Sequence, residues 1–129
     1  MNPTPPVFVI DDEEPVRVSL AKLLRAIGFP CRTFASAMAF LASDAVGEDG
    51  CLLLDLRMPG MSGVDLLEEL HRRRQAVPTI VMTGHTDMQS VQRLEGFPLI
   101  GFLEKPFSVA QLKELLERWR PAAHSVQQG

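Results

Sequence analysis

Cysteine is scarce: the 129 residues contain only Cys31 and Cys51, with no CxxC spacing between them. A disulfide framework and a thiolate metal site are thereby excluded, and the apolar, strand-like surroundings of both point to free buried thiols. Long apolar runs are missing too, since nothing approaches the roughly 20 residues needed to span a bilayer. The start, MNPTPPVFVIDD, lacks the basic segment and extended apolar stretch of a secretion signal. A cytoplasmic protein without membrane association is expected. There is no basic excess either: the formal charge is -3, and the one basic run, His71, Arg72, Arg73 and Arg74, falls on the polar side of an expected helix. Direct nucleic-acid binding by this chain is therefore not expected.

What is present suits one compact core. With 46% hydrophobic and 22% charged residues, a chain of this length can bury a single core but has no room for a second domain. Short apolar runs alternate with segments of helical period, the pattern of βα units around a parallel sheet. Strands are expected at 7–10, 31–34, 51–54, 79–82 and 100–103. The clearest helix has Pro15 in its first turn, puts Val16, Leu20, Leu23, Leu24 and Ile27 on one face and stops at Gly28. Ser36 is expected to cap a second helix carrying Met38, Phe40 and Leu41, and Val64, Leu67 and Leu70 mark a third after Gly63. Ser108 is expected to cap the last, whose stripe is Val109, Leu112, Leu115, Leu116 and Trp119. The helix after the fourth strand has only Met88, Val91 and Leu94 as apolar positions before Gly96 and Pro98, so it should be short or mobile. Residues 121–129 have no apolar period and read as a frayed tail or the start of a linker.

The charged residues fall at special places. In the stretch CLLLDLRMPGMSG, four apolar residues run straight into Asp55 and a Pro-Gly turn follows. A carboxylate ending a strand buried on both faces is costly unless its charge is used. Parallel sheets bind ligands at the carboxyl ends of their strands. There the first strand ends in Asp11 and Asp12, the third in Asp55, the fourth in Thr83 and the fifth in Lys105 before Pro106. Taken singly each has a plainer reading: Asp11 or Asp12 as a helix cap, Thr83 as a hydroxyl bonded to backbone, Lys105 as a solvated lysine. Independent caps, however, have no reason to gather on one edge of four core strands. Three carboxylates held close together repel and call for raised pKa values or a cation. An all-oxygen set without His or Cys favours Mg²⁺ or Mn²⁺ over zinc, and Mg²⁺ readily shares itself with a phosphoryl group. The first turn, DDEEP, excludes a dinucleotide site, which wants glycines there and would be repelled by acids.

In these residues the chain resembles the CheY-like receiver domain of bacterial two-component response regulators. The likeness runs from residue 7 to about 120 and rests on VIDDEEPVR, LLLDLRMPGMSG, VMTGH and FLEKPF in the right order and spacing. DLRMPGMSG with TGH is most similar to the FixJ-like subgroup, whose receivers usually precede a LuxR-type helix-turn-helix domain. The resemblance implies a five-stranded parallel sheet in the order 2-1-3-4-5 with helices on both faces, residues 1–6 forming a tail ahead of it. Asp55 would accept a phosphoryl group from a phosphohistidine of a sensor histidine kinase. Asp12 would ligate Mg²⁺ directly and Asp11 through water, joined by the Asp55 carboxylate and the backbone carbonyl of Arg57. Thr83 and Lys105 would hold the phosphoryl oxygens, and the Lys105–Pro106 peptide would be cis.

Switching is implied on the same atoms. Thr83 would move toward the phosphoryl group and Phe102 would turn inward, reshaping the face of the fourth helix, fifth strand and fifth helix, through which relatives form homodimers. Arg57 and His85 flank the acceptor where a hydrolytic water would approach; tuning of the acyl-phosphate lifetime and ordinary surface roles are both open for them. Two departures stand out. RLEGFPLIG replaces an Ala-Gly-Ala type ending of the fourth helix, leaving Phe97 either an exposed anchor or a loop plug. No output domain follows Trp119, so a stand-alone receiver and an excised one are equally open. Two other classes compete: a receiver-fold binding module acting without phosphate, and an aspartate-nucleophile phosphohydrolase. The latter wants a second acid two residues after the nucleophile, where this chain has Arg57.

Overall fold

The computed structural model describes residues 4–84 and 88–128; His85 lies outside them. The apolar runs become strands β1 (Val7–Ile10), β2 (Cys31–Phe34), β3 (Cys51–Asp55), β4 (Thr79–Thr83) and β5 (Leu99–Glu104). Between and after them lie α1 (Glu14–Ala26), α2 (Ala37–Leu41), α3 (Gly63–Arg72), α4 (Met88–Gln92) and α5 (Val109–Gln128). All strand pairings are parallel and the order is β2-β1-β3-β4-β5, as expected. β1, β3 and β4 are buried along their whole length, which is why they carry almost no polar residues.

Alternation along each strand separates two cores. Phe8, Ile10, Leu52, Leu54 and Val81 face α2 and α3 and meet Phe40, Leu67 and Leu70. Val7, Val9, Leu53, Ile80 and Met82 face α1 and α5 and meet Leu20, Leu24, Leu112 and Leu116. A one-residue slip of any central strand would exchange these sets, so the register is strongly specified.

The helix ends follow local chemistry. Ser36 accepts a hydrogen bond from Ala39 N, and Ser108 accepts one from Gln111 N while the Gln111 side chain accepts from Ser108 N. Ser62 and Asp65 form a full capping box at the start of α3. Gly28 and Gly96 both take positive φ, at the ends of α1 and of the segment after α4.

Several expectations are corrected. Met38 is exposed, because in the single turn of α2 Ala37 and Phe40 point inward at i, i+3 and position 38 turns away. Val109 is likewise largely exposed at the first position of α5. Cys51 is buried and free, but Cys31 is only partly buried, since β2 is an edge strand. The backbone of α5 continues to Gln128, through Pro121 and beyond the expected end near residue 120. α4 is short, as expected. Phe97 packs against the α3-side core, edge-on to His71, and so plugs the loop.

Gly63 sets how closely α3 can approach β3. A Cβ on Gly63 would lie 2.6 Å from the Asp55 carbonyl oxygen and 2.8 Å from Leu56 Cα, both backbone atoms that cannot step aside cheaply. Gly63 N also donates to the Leu56 carbonyl at 3.0 Å. Only glycine lets α3 start directly against the end of β3. Gly63→Ala is expected to destabilise the fold by about 1–3 kcal/mol, read as a lower urea midpoint at unchanged slope.

Candidate functional site

Parallel pairing brings the carboxyl ends of the strands to one edge. Ile10 pairs with Leu54, Asp55 with Met82 and Thr83 with Glu104, so the residues that end these strands sit side by side. Asp11, Asp55 and Thr83 are buried there, whereas Asp12 is exposed. One oxygen each from Asp11, Asp12 and Asp55 lies within 4.8 Å of the others. The lysine after β5 reaches into this group: Lys105 Nζ is 3.1 Å from Asp11 Oδ2 and 3.6 Å from Asp55 Oδ2. Its main-chain N–H donates to the Thr83 carbonyl at 2.8 Å, and the Lys105–Pro106 peptide is cis.

The two buried acids are also held by the backbone. Asp11 Oδ1 accepts from Glu13 N at 2.9 Å, and Asp55 Oδ1 accepts from Arg57 N at 3.2 Å. Asp11 thus closes a local turn without capping α1, whose N-cap is Glu13 with no side-chain cap hydrogen bond, and its second oxygen meets Lys105. Arg57 is exposed on the turn after Asp55, and Phe102, central in β5 opposite Val81, is 45% exposed with its ring outside the core.

The electrostatics follow from burial and crowding. Burial pushes the Asp55 carboxyl up to about 6; Lys105 and the Arg57 N–H oppose this, and Asp11 and Asp12 add to it. Burial works against the charge of Lys105, but Asp55 and Asp11 outweigh it and raise its pKa, so the ammonium persists. Three carboxylates against one ammonium leave excess negative charge in a partly dry site. An all-oxygen donor set with that excess fits a hard divalent cation, and Asp11, Asp12 and Asp55 are the residues to hold it.

The sequence did not flag three supports of this site. The capping box of Ser62 and Asp65 was legible as S-x-x-D ahead of an apolar run. The contact of Gly63 with Asp55 and the bond from Arg17 Nη1 to the Asp11 carbonyl, 2.8 Å, leave no local signal.

A doubly wound parallel sheet in the order 2-1-3-4-5, with acids and a lysine at its topological switch point, defines a CheY-like α/β class. Within that class the chain belongs to the response regulator receiver domain family, whose model matches residues 7–117. It is 44% identical over 112 residues to the transcriptional regulatory protein FixJ of Rhizobium meliloti, covering 87% of this chain and 55% of that protein. The crystal structure of FixJ-N superposes with a TM-score of 0.80 at 42% identity, covering 92% of this chain and 93% of that one. Full-length FixJ from B. japonicum gives 0.79 at 35% identity, covering 96% of this chain and 63% of that one. The chain therefore spans about half the length of the curated FixJ relative. It is a FixJ-like receiver domain of a two-component response regulator.

Because Asp55 has a folded-state pKa above its ordinary 3.8, its ionisation opposes folding. Its share of stability is highest below about pH 4 and is lost as the pH rises through about 6. Asp55→Asn is expected to stabilise the metal-free protein by about 1–3 kcal/mol at pH 7.5 and to flatten the pH dependence between 4 and 6. Urea unfolding of both proteins across that range is the check; a less stable variant at pH 7.5 would refute it.

Proposed function

We propose that this receiver is a phosphorylation switch, with Asp55 the phosphoacceptor and a sensor histidine kinase the donor. The observation that carries the reading is the placement of Asp55 against Lys105 and beside Asp11 and Asp12. An oxygen of the ionised Asp55 carboxylate attacks phosphorus as the P–N bond of the phosphohistidine breaks, and the departing imidazole takes up a proton. Such transfer depends mainly on positioning and charge neutralisation. The Lys105 ammonium, already at the acceptor, balances the incoming phosphoryl oxygens, and the Thr83 hydroxyl at the end of β4 bonds to one of them.

Asp12 directly, Asp11 through water, the Asp55 carboxylate and the Arg57 carbonyl would hold Mg²⁺, with Mn²⁺ a substitute. When bound, the cation neutralises and orients phosphoryl oxygens. Movement of Thr83 toward the phosphoryl group opens space for Phe102 to turn inward, which reshapes the face of α4, β5 and α5 and favours a homodimer. The domain comprises residues 7–120, with 121–129 a C-terminal tail or the start of a linker, and the output it controls is transcription in the cytoplasm, through a separate output domain. Nucleic acid is bound by that output, not by this chain.

The decisive experiment is intact mass after incubation with acetyl phosphate and Mg²⁺. Wild type is expected to gain one phosphoryl group, and Asp55→Asn or added chelator to abolish the gain. No gain in wild type would move the reading to a binding module that works without phosphate. Arg57 and His85 tune the lifetime of the acyl phosphate. Arg57→Ala and His85→Ala are expected to change its decay severalfold, followed as loss of the added mass; unchanged decay in both refutes the tuning role.

A further inference from the structure

The turn that presents the two N-terminal acids is tied down from a distance. At the end of β1, Asp11 N donates to the Phe34 carbonyl at 3.2 Å. The Asp11 carbonyl belongs to a fully buried residue and needs a partner of its own. It finds one in the first turns of α1, where Arg17 Nη1 donates to it at 2.8 Å. A second bond, Glu13 N to Asp11 Oδ1 at 2.9 Å, closes the same turn locally. Asp12 stands between these anchor points. Among the described residues nothing donates a hydrogen bond to its carboxylate, so only the main chain on either side fixes its place.

We infer that Arg17 is a positioning residue for divalent-cation binding: it holds the Asp11–Asp12 turn where both carboxylates face Asp55. The inference rests on the acid cluster being a Mg²⁺ site. Without the cation, Asp11, Asp12 and Asp55 repel one another, and exposed Asp12 has the most freedom to swing away. A turn pinned through the Asp11 carbonyl keeps that carboxylate at hand, and a preorganised ligand set binds more tightly than one ordered at binding. Arginine suits the task because its long planar fork reaches a carbonyl six residues back while its charge stays permanent. Unlike Lys105, Arg17 makes no ion pair with the three acids among the described residues, so its contact is to the frame and not to the ligands.

The sign of the effect separates positioning from plain charge. Removing a cation beside an acidic cluster strengthens Mg²⁺ binding by Coulomb's law, whereas loosening the turn weakens it. The test is calorimetric titration of Mg²⁺ into the unphosphorylated full chain, comparing wild type with Arg17→Met, Arg17→Lys and the α1 control Arg25→Met. Arg17→Met keeps an aliphatic stem and helix propensity but loses the donor; its dissociation constant for Mg²⁺ is expected to rise roughly fivefold. Arg17→Lys, with a cationic donor of shorter reach, is expected to fall between it and wild type, and Arg25→Met to match wild type. Arg17→Met binding as tightly as wild type, or more tightly, overturns the inference, even where it lowers stability. Should Arg17→Met not fold, Arg17→Lys decides: weaker binding supports the role and wild-type affinity overturns it. Absence of Mg²⁺ binding in wild type itself would instead overturn the underlying cation-site reading.

Discussion

Three carboxylates crowd around one ammonium at the carboxyl edge of the sheet, with Lys105 Nζ bridging Asp11 and Asp55 and the Asp12 carboxylate close by. In water such acids would drift apart, because their repulsion is not offset by a single lysine. Here the drift is prevented by what lies beneath them. β1 and β3 are paired neighbours whose every residue is buried, and their side chains lock into cores on both faces. The stability of those cores is what keeps like charges together, and a site that concentrates negative charge is one that attracts cations.

The frame around the acids has a division of labour. Sheet pairing sets the distance between Asp11 and Asp55. The turns set their direction, through Glu13 N and Arg57 N, and each of those bonds occupies one carboxylate oxygen while the other points to Lys105. α3 then starts within contact of the Asp55 carbonyl, anchored by Ser62 and Asp65 and admitted by the missing side chain at Gly63. On the other side α1 reaches back through Arg17. α1 is thus tied to the backbone of Asp11, and α3 to the Leu56 carbonyl next to Asp55.

The opposite flank is built more lightly. α4 spans five residues, and Arg93 beyond it is joined to α3 by exposed ion pairs with Glu68 and Asp65, contacts that contribute little individually. β5 is an edge strand with Phe102 outside the core, and Phe97 fills the loop that leads into it. Weak packing beside a rigid site is a physical requirement for any conformational response, since only thinly held elements rearrange at modest cost. Thr83 and Lys105 connect the two regimes, because the Lys105 N–H is bonded to the Thr83 carbonyl and its side chain to the acids.

The strands, the two helix faces of α1 and α3, and the identity of the acids, Thr83 and Lys105 were all legible in the sequence. Burial on both faces demands unbroken apolar runs, and a charge at the end of such a run is conspicuous. The family likeness was legible for the same reason, being carried by short motifs at strand ends. What only the tertiary structure decided is which groups touch. Met38 has the hydrophobicity of a core residue but faces solvent, since a one-turn helix buries only two positions. The continuation of α5 past residue 120 has no apolar stripe to announce it. Gly63 against the Asp55 carbonyl and Arg17 on the Asp11 carbonyl are contacts to backbone, which looks alike at every position, so no residue pattern marks them. Sequence by itself specified the chemistry available at the sheet edge; the folded chain alone set the distances at which that chemistry is held.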